Sequence, residues 1–376
     1  MILTAVVLLL AQGDEAKMIE YRYLARHQGR NGAWGRRPPG CSCPPEPHAP
    51  AAPADEGTRE RIATLIRGLD ADDFESREGA MKSLGTVGAA AVAQLQEAAL
   101  RAVPEVRWRA AAALREIECR GTGDDVELTA MGVLVFLGAG FSPLSRDVFD
   151  GHHFGTVVKS GLQWLLDHQK ADGSFGGESA AADAWPALAL SEAFGMTALA
   201  VYREPARKAV EFLVKNRASD ARGLFYQNMA LKSAQMSNLE MPRDAGITLV
   251  NALKLKRAEE PFSLFVRAAL QIARIFFYKN KQLLDLSGIP GMSPSLMDME
   301  TFYVVELALF QADGPSGNHW KAWRRESAPW VRAAQETRIA RCTQGTWEGH
   351  GTAARLKATA LGTLSQQYYY AYSIEK

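Results

Sequence analysis

Apolar residues recur at helical spacing along most of this chain. Val158, Leu162, Leu165 and Leu166 mark one face of a helix that ends near Gln169. The same three-to-four spacing predicts helices over 182–194, 204–215, 245–255, 264–278, 301–311, 320–336 and 353–372, broken by Gly and Pro. Ile62, Leu65, Ile66, Leu69, Leu84, Leu95, Leu100 and Leu114 supply further apolar faces within an alanine-rich stretch. No stretch sustains the period-two alternation of a strand, so the predicted class is all-α.

The helices carry a repeated ending. Residues 23–35 read YLARHQGRNGAWG and residues 164–176 read WLLDHQKADGSFG. Both contain an aromatic residue, Leu, His-Gln, Asn or Asp before Gly, a second aromatic and a final Gly. His27 and His168 are 141 residues apart, so this is a duplicated unit. A degenerate third copy covers 212–226, FLVKNRASDARGLFY, with Arg217 in place of Gln, and Gln344-Gly345-Thr346-Trp347 is a fourth trace. In physical terms the unit is a staple. The helix stops, Asp172-Gly173 turns the chain with Gly free to take positive φ, and Phe175 folds back on the helix end. The Gln169 amide reaches backbone groups that the helix end leaves open. His27, Gln28, Gly32, Trp34, His168, Gln169, Asp172, Gly173, Phe175 and Trp347 are accordingly expected to be structural.

The stretch between the first two units has a different texture. Residues 44–53, PPEPHAPAAP, are a low-complexity, extended linker. Residues 73–80 (DFESREGA) and 105–112 (EVRWRAAA) then align at an offset of 32, pairing Phe74 with Val106, Arg77 with Arg109 and Ala80 with Ala112. This segment resembles a short HEAT-like solenoid.

The helix–Gln–x–x–Asp–Gly–x–aromatic–Gly units resemble the QW-type repeats of squalene–hopene cyclases and their relatives. The flanking stretches 133–151, 187–197, 228–242 and 307–323 are similar to bacterial proteins known by their prenyltransferase or squalene-oxidase repeats. The resemblance covers 17–43 and 119–372. It implies an α/α toroid, in which an inner and an outer ring of helices surround a central cavity, with the HEAT-like piece inserted. The expected organisation is a signal peptide at 1–16, a first toroid repeat at 17–43, a linker at 44–56, the insertion at 57–118 and the rest of the toroid at 119–376.

The chemistry of that class does not carry over. Class II cyclases protonate their substrate with D-x-D-D-T-A. Here Asp70-Ala71-Asp72-Asp73 is followed by Phe74-Glu75, within the insertion, where the carboxylates are expected to cap a helix. Protein prenyltransferases need an Asp, Cys and His zinc set; Cys342 and His350 lack the preceding Asp-x-Cys. The GCGEQ thioester motif is absent. Toroids of this general shape also host polysaccharide lyases and glycoside hydrolases, in which paired carboxylates and a Tyr do acid–base work. Glu300 and Tyr303, three apart on one predicted helix with Asp298 and Glu306, and Asp183 at the start of another, are the candidates for such work. The competing reading of Asp298 and Glu300 is a solvated helix start. His152 and His153 are adjacent, and adjacent residues point apart on a helix, which argues against a joint metal site. Tyr368, Tyr369, Tyr370 and Tyr372 form an aromatic stripe suited to core or cavity lining.

Charge narrows the partners. Forty-three basic and 42 acidic residues leave a net +1, which calls for neither nucleic acid nor an anionic membrane. Residues 2–11, ILTAVVLLLA, are too short to span a bilayer and suit a signal-peptide core, although the first basic residue is Lys17. Export is the expectation; a cytoplasmic chain with a buried first helix is the alternative. In an exported chain Cys119 is expected to pair with Cys41 or Cys43. No cofactor and no metal are expected. The functional expectation is a non-catalytic scaffold that meets a protein through the HEAT-like arm or a small apolar ligand in the cavity. The alternative is an enzyme acting on an isoprenoid or a polysaccharide.

Overall fold

The computed structural model describes residues 18–35, 55–101, 103–120, 125–176, 180–279, 294–337, 342–347 and 352–367. Among these residues stand fifteen α-helices and one two-stranded hairpin, so the chain is all-α. It divides into two compact units. Met1–Trp34, Asp125–Gly349 and Ala354–Lys376 form the larger; Gly35–Asp124 and His350–Ala353 form the smaller. The proposed signal peptide, most of the proline-rich linker, His350 and the tyrosine stripe lie outside the described residues, as do the side chains of Cys41, Cys43 and Cys119.

Helix α1 (Ile19–Arg26) opens the larger unit, and the chain then builds the smaller one from α2 (Glu56–Gly68), α3 (Phe74–Val87), α4 (Val92–Arg101) and α5 (Pro104–Arg120). Helices α2 and α3, α4 and α5, and α3 and α5 pack together around Ile62, Leu69, Leu84, Leu95 and Ala110, all fully buried. Asp55 caps α2 through the Thr58 amide at 2.8 Å, and Asp73 caps α3 through the Ser76 amide at 2.7 Å. The two arginines of the 32-residue offset act differently. Arg77 donates to the Ala71 and Asp72 carbonyls, whereas Arg109 reaches Glu105 at 2.8 Å and Glu78 at 3.1 Å.

The larger unit resumes at Asp125, whose amide donates to the Trp34 carbonyl at 3.0 Å. Its helices are α6 (Val126–Gly138), α7 (Phe154–His168), α8 (Ala180–Thr197), α9 (Ala200–Lys215), α10 (Ala221–Met236), α11 (Ala245–Glu259), α12 (Leu264–Tyr278), α13 (Met299–Asp313), α14 (Asn318–Ala333) and α15 (Thr352–Gln367). Two kinds of helix follow from their sequences. Helices α7, α9 and α14 bury one stripe, such as Tyr202, Ala206, Ala209, Val210 and Leu213 of α9, at amphipathic spacing. Helices α6, α10 and α13 are buried on every side, from Leu128 to Leu137, Gly223 to Leu231 and Phe302 to Gln311. A helix apolar all round must be enclosed by other elements. Accordingly α8 packs on α6, α9 and α10, α12 packs on α10, α11 and α13, and α15 reaches α6 where Gln367 Nε2 donates to the Val135 carbonyl at 3.1 Å.

The hairpin pairs Val148–Phe149 (β1) with His152–His153 (β2). Asp150 and Gly151 between them both have positive φ, 48° and 78°, as a tight two-residue turn requires. His152 and His153 therefore point apart because they lie on a strand, not on a helix. Helix α12 has the predicted bounds 264–278, while α8, α9 and α13 extend beyond their predicted ends.

Candidate functional site

Each staple is built as one hydrogen-bonded turn. At the end of α1, Gln28 Nε2 donates to the Gly32 carbonyl at 2.9 Å and to Val157 of α7 at 2.8 Å. At the end of α7, Gln169 Nε2 donates to the Gly173 carbonyl at 3.2 Å and to Pro205 of α9 at 2.9 Å. Gly32 (φ 92°) and Gly173 (φ 93°) sit where a Cβ would strike the carbonyls of Ser160 and Lys208, so the turns must carry Gly. In both cases the clash partner lies three residues after the carbonyl that the Gln reaches, so the two turns seat on the next helix in the same register. His27 and His168 each hold a carbonyl four residues back through Nδ1, at 2.7 Å.

The last repeat follows the same design with its Gln displaced. Gln335, not Gln344, donates to the Gly345 carbonyl at 3.0 Å, and Gly345 (φ 85°) leans on Ile19 and Glu20 of α1. Gln344 instead accepts from Arg22 of α1 at 2.6 Å. Trp34 Nε1 donates to the Leu24 carbonyl and Trp347 Nε1 to the Val331 carbonyl, in each case the residue four before the working Gln. In the degenerate third copy the brace comes from the following helix. Gln227 of α10 accepts from the Ala218 amide at 3.0 Å and donates to the Asn216 carbonyl at 2.7 Å.

Asp172 accepts from the Ser174 hydroxyl and amide, which hold its carboxyl below the usual range. Asp183 accepts from the Phe175 amide at 2.6 Å. Burial raises its carboxyl, against the Phe175 and Gly176 amides. It therefore belongs to the second staple.

Glu300 takes part in a different constellation. Three enclosed helices begin with Asp-x-charged: Asp125-Val126-Glu127, Asp220-Ala221-Arg222 and Asp298-Met299-Glu300. Each Asp caps the amide three residues on, and the charged residue is the second of its helix. These second positions meet. Arg222 Nε donates to Glu300 Oε1 at 2.5 Å, and its Nη2 pairs with Glu127 Oε1. Lys357 of α15 lies 3.5 Å from both carboxylates. The Tyr226 hydroxyl donates to Glu300 at 2.8 Å, the Arg222 guanidinium lies over the Tyr226 ring, and Trp185 of α8 packs on that ring at 4.2 Å between centroids.

Two carboxylates and two cations balance, and each touches at least two partners. Burial works against the Arg222 charge, but Glu300 and Glu127 outweigh it and hold the guanidinium above its ordinary value. Burial, and then Glu300, push the Tyr226 hydroxyl well above the normal tyrosine range. Tyr303 is raised by its own burial and by Glu192. Glu300 is thus hydrogen-bonded to Tyr226, from another helix, and the buried Tyr303 acts electrostatically on Tyr226. Glu306 is buried in the α13–α14 contact, accepting from Trp323 Nε1 and from the Ser327 hydroxyl. Among the described residues no group of His, Cys, Asp and Glu is arranged to hold a metal, and no helix is long and apolar enough to cross a membrane.

No family model matches the chain, and neither a curated protein nor a solved structure shows significant similarity to it.

Proposed function

We propose that the larger unit is an α/α toroid that serves as a non-catalytic binding scaffold, with the Glu127–Arg222–Glu300–Lys357 cluster as a lock across one end of its inner ring. The order of the staples supports the ring. The turn after α1 seats on α7, the turn after α7 on α9, and the turn that ends at Trp347 returns to α1. Enclosed helices alternate with one-faced helices along most of the unit, as inner and outer rings would require.

The observation that carries the non-catalytic reading is the closed charge balance of the cluster. A general acid or base must present a titrating group to a substrate, and here the carboxylates are committed to Arg222, Lys357 and Tyr226. Four or seven residues after Glu127, Arg222 and Glu300 on the same helices come Met131, Leu134, Met229 and Leu307, all buried. A ring with these residues on its axis is plugged by apolar side chains below the lock. The smaller unit, with its 32-residue offset and paired helices, is read as a HEAT-like arm for contact with a partner protein; Phe74 and Trp108 are exposed on it.

The test is a search for turnover. Protein is incubated separately with a polyprenyl diphosphate, a linear triterpene and acidic polysaccharides, beside Glu300→Gln and Tyr226→Phe, and products are read by mass spectrometry. The expected result is no product above the two variants. A product that disappears with either substitution overturns the scaffold reading in favour of an enzyme.

A further inference from the structure

A histidine and a cysteine come together where the first staple meets the last. His27 is fully buried, and its ring lies against Tyr23 with centroids 3.9 Å apart. Its Nδ1 is 2.7 Å from the Tyr23 carbonyl. A carbonyl only accepts, so Nδ1 carries the hydrogen and Nε2 presents its lone pair. Cys342 Sγ lies 3.5 Å from that Nε2, brought there from 315 residues away. Cys342 is a thiol, not a disulfide, and it is partly exposed.

Comparison of the two staples separates structure from chemistry. His168 makes the same Nδ1 contact, to Trp164 at 2.7 Å, and stacks on the Trp164 ring at 3.7 Å. The repeat therefore needs only the Nδ1 bond to finish its helix. At His27 the second nitrogen faces a thiol as well. A thiol in contact with a base, with the base oriented by a third group, is the arrangement that activates sulfur nucleophiles.

We propose that Cys342 is a nucleophilic thiol with His27 as its base, and that this pair is a covalent modification site for soft electrophiles. In the reaction with an alkyl iodide the S–H proton passes to His27 Nε2 as sulfur attacks the carbon. The S–C bond forms, the C–I bond breaks, iodide leaves, and His27 returns the proton to water. The inference rests on the contact between α1 and residues 342–347, and it holds whether or not the cluster at Arg222 is catalytic.

The probe is iodoacetamide at pH 7 on the full chain, with alkylation of each cysteine followed by peptide mass spectrometry. A free cysteine is only a few per cent thiolate at this pH, so activation leaves room for acceleration on the order of tenfold. Cys342 is expected to react at least about fivefold faster than N-acetylcysteine, a comparison that needs no variant. His27→Gln is expected to remove that advantage, while His168→Gln, which takes away the matching structural histidine, leaves the Cys342 rate unchanged. A wild-type Cys342 no faster than N-acetylcysteine overturns the proposal. So does an equal loss of rate in folded His27→Gln and His168→Gln proteins, since that would assign the effect to the staple and not to the base.

Discussion

Replacing Glu20 with Gln is expected to stabilise the protein above neutral pH and to leave it unchanged near pH 4. Glu20 lies in the first turn of α1, nine-tenths buried, where the Gly345 turn leans on its backbone. Burial is the largest influence on its carboxyl and pushes it from 4.5 up to about 7, against hydrogen bonding from its own amide. The sign follows from linkage. Below pH 4.5 the folded and unfolded chains both hold the proton and Glu20 contributes nothing. Between 4.5 and about 7 the unfolded chain ionises and the folded chain resists, so stability falls as pH rises. Above 7 the full cost applies, about 3 kcal/mol at 1.36 kcal/mol per pKa unit. Gln keeps the shape and abolishes the titration. Urea unfolding of both proteins at pH 4.5, 6 and 8, followed by tryptophan fluorescence, should show a gap that opens from near zero to about 3 kcal/mol in favour of Gln. A gap independent of pH would refute the reasoning, because it would trace the change to packing and not to the charge.

Further outcomes follow from the staples, the lock and the smaller unit. Gly173→Ala should cost about 2 kcal/mol or more, from positive-φ strain and collision with the Lys208 carbonyl, read as a lower urea midpoint. Arg222→Met leaves Glu127 and Glu300 with Lys357 as their shared cation and Glu300 with the Tyr226 hydroxyl, and should cost about 2 kcal/mol, less than a fully buried pair because the guanidinium is partly exposed. Adding Glu127→Gln and Glu300→Gln to that variant should recover part of the loss in the same unfolding assay. Asp73→Ala should reduce helicity on mild heating through the lost cap on α3, and should abolish no activity.

The staples at Gln28 and Gln169 were legible because their chemistry is local. A helix end, a Gln and a positive-φ Gly four residues later leave the same letters wherever they occur. The last staple was misread because Gln335 lies ten residues before Gly345, so the nearer Gln344 took its place in the pattern although it bonds Arg22 instead. Helix α10 left no amphipathic signal, since an enclosed helix has no polar face to alternate with. Glu127, Arg222 and Lys357 were missed for a related reason. One charge near a helix start reads as a solvated end or a partner of the helix dipole, and only tertiary structure brings helices of such different sequence position together. The recurring Asp-x-charged triplets at 125, 220 and 298 were the available signal.

The central claim is that the last repeat closes onto the first. Arg22 and Gln344, 322 residues apart and joined at 2.6 Å, report on that closure. A double-mutant cycle with Arg22→Ala, Gln344→Ala and the pair, measured by urea unfolding, should return a coupling of about 0.5–1.5 kcal/mol. Strict additivity of the two substitutions would mean that the first and last repeats do not meet, and would contradict the closed ring.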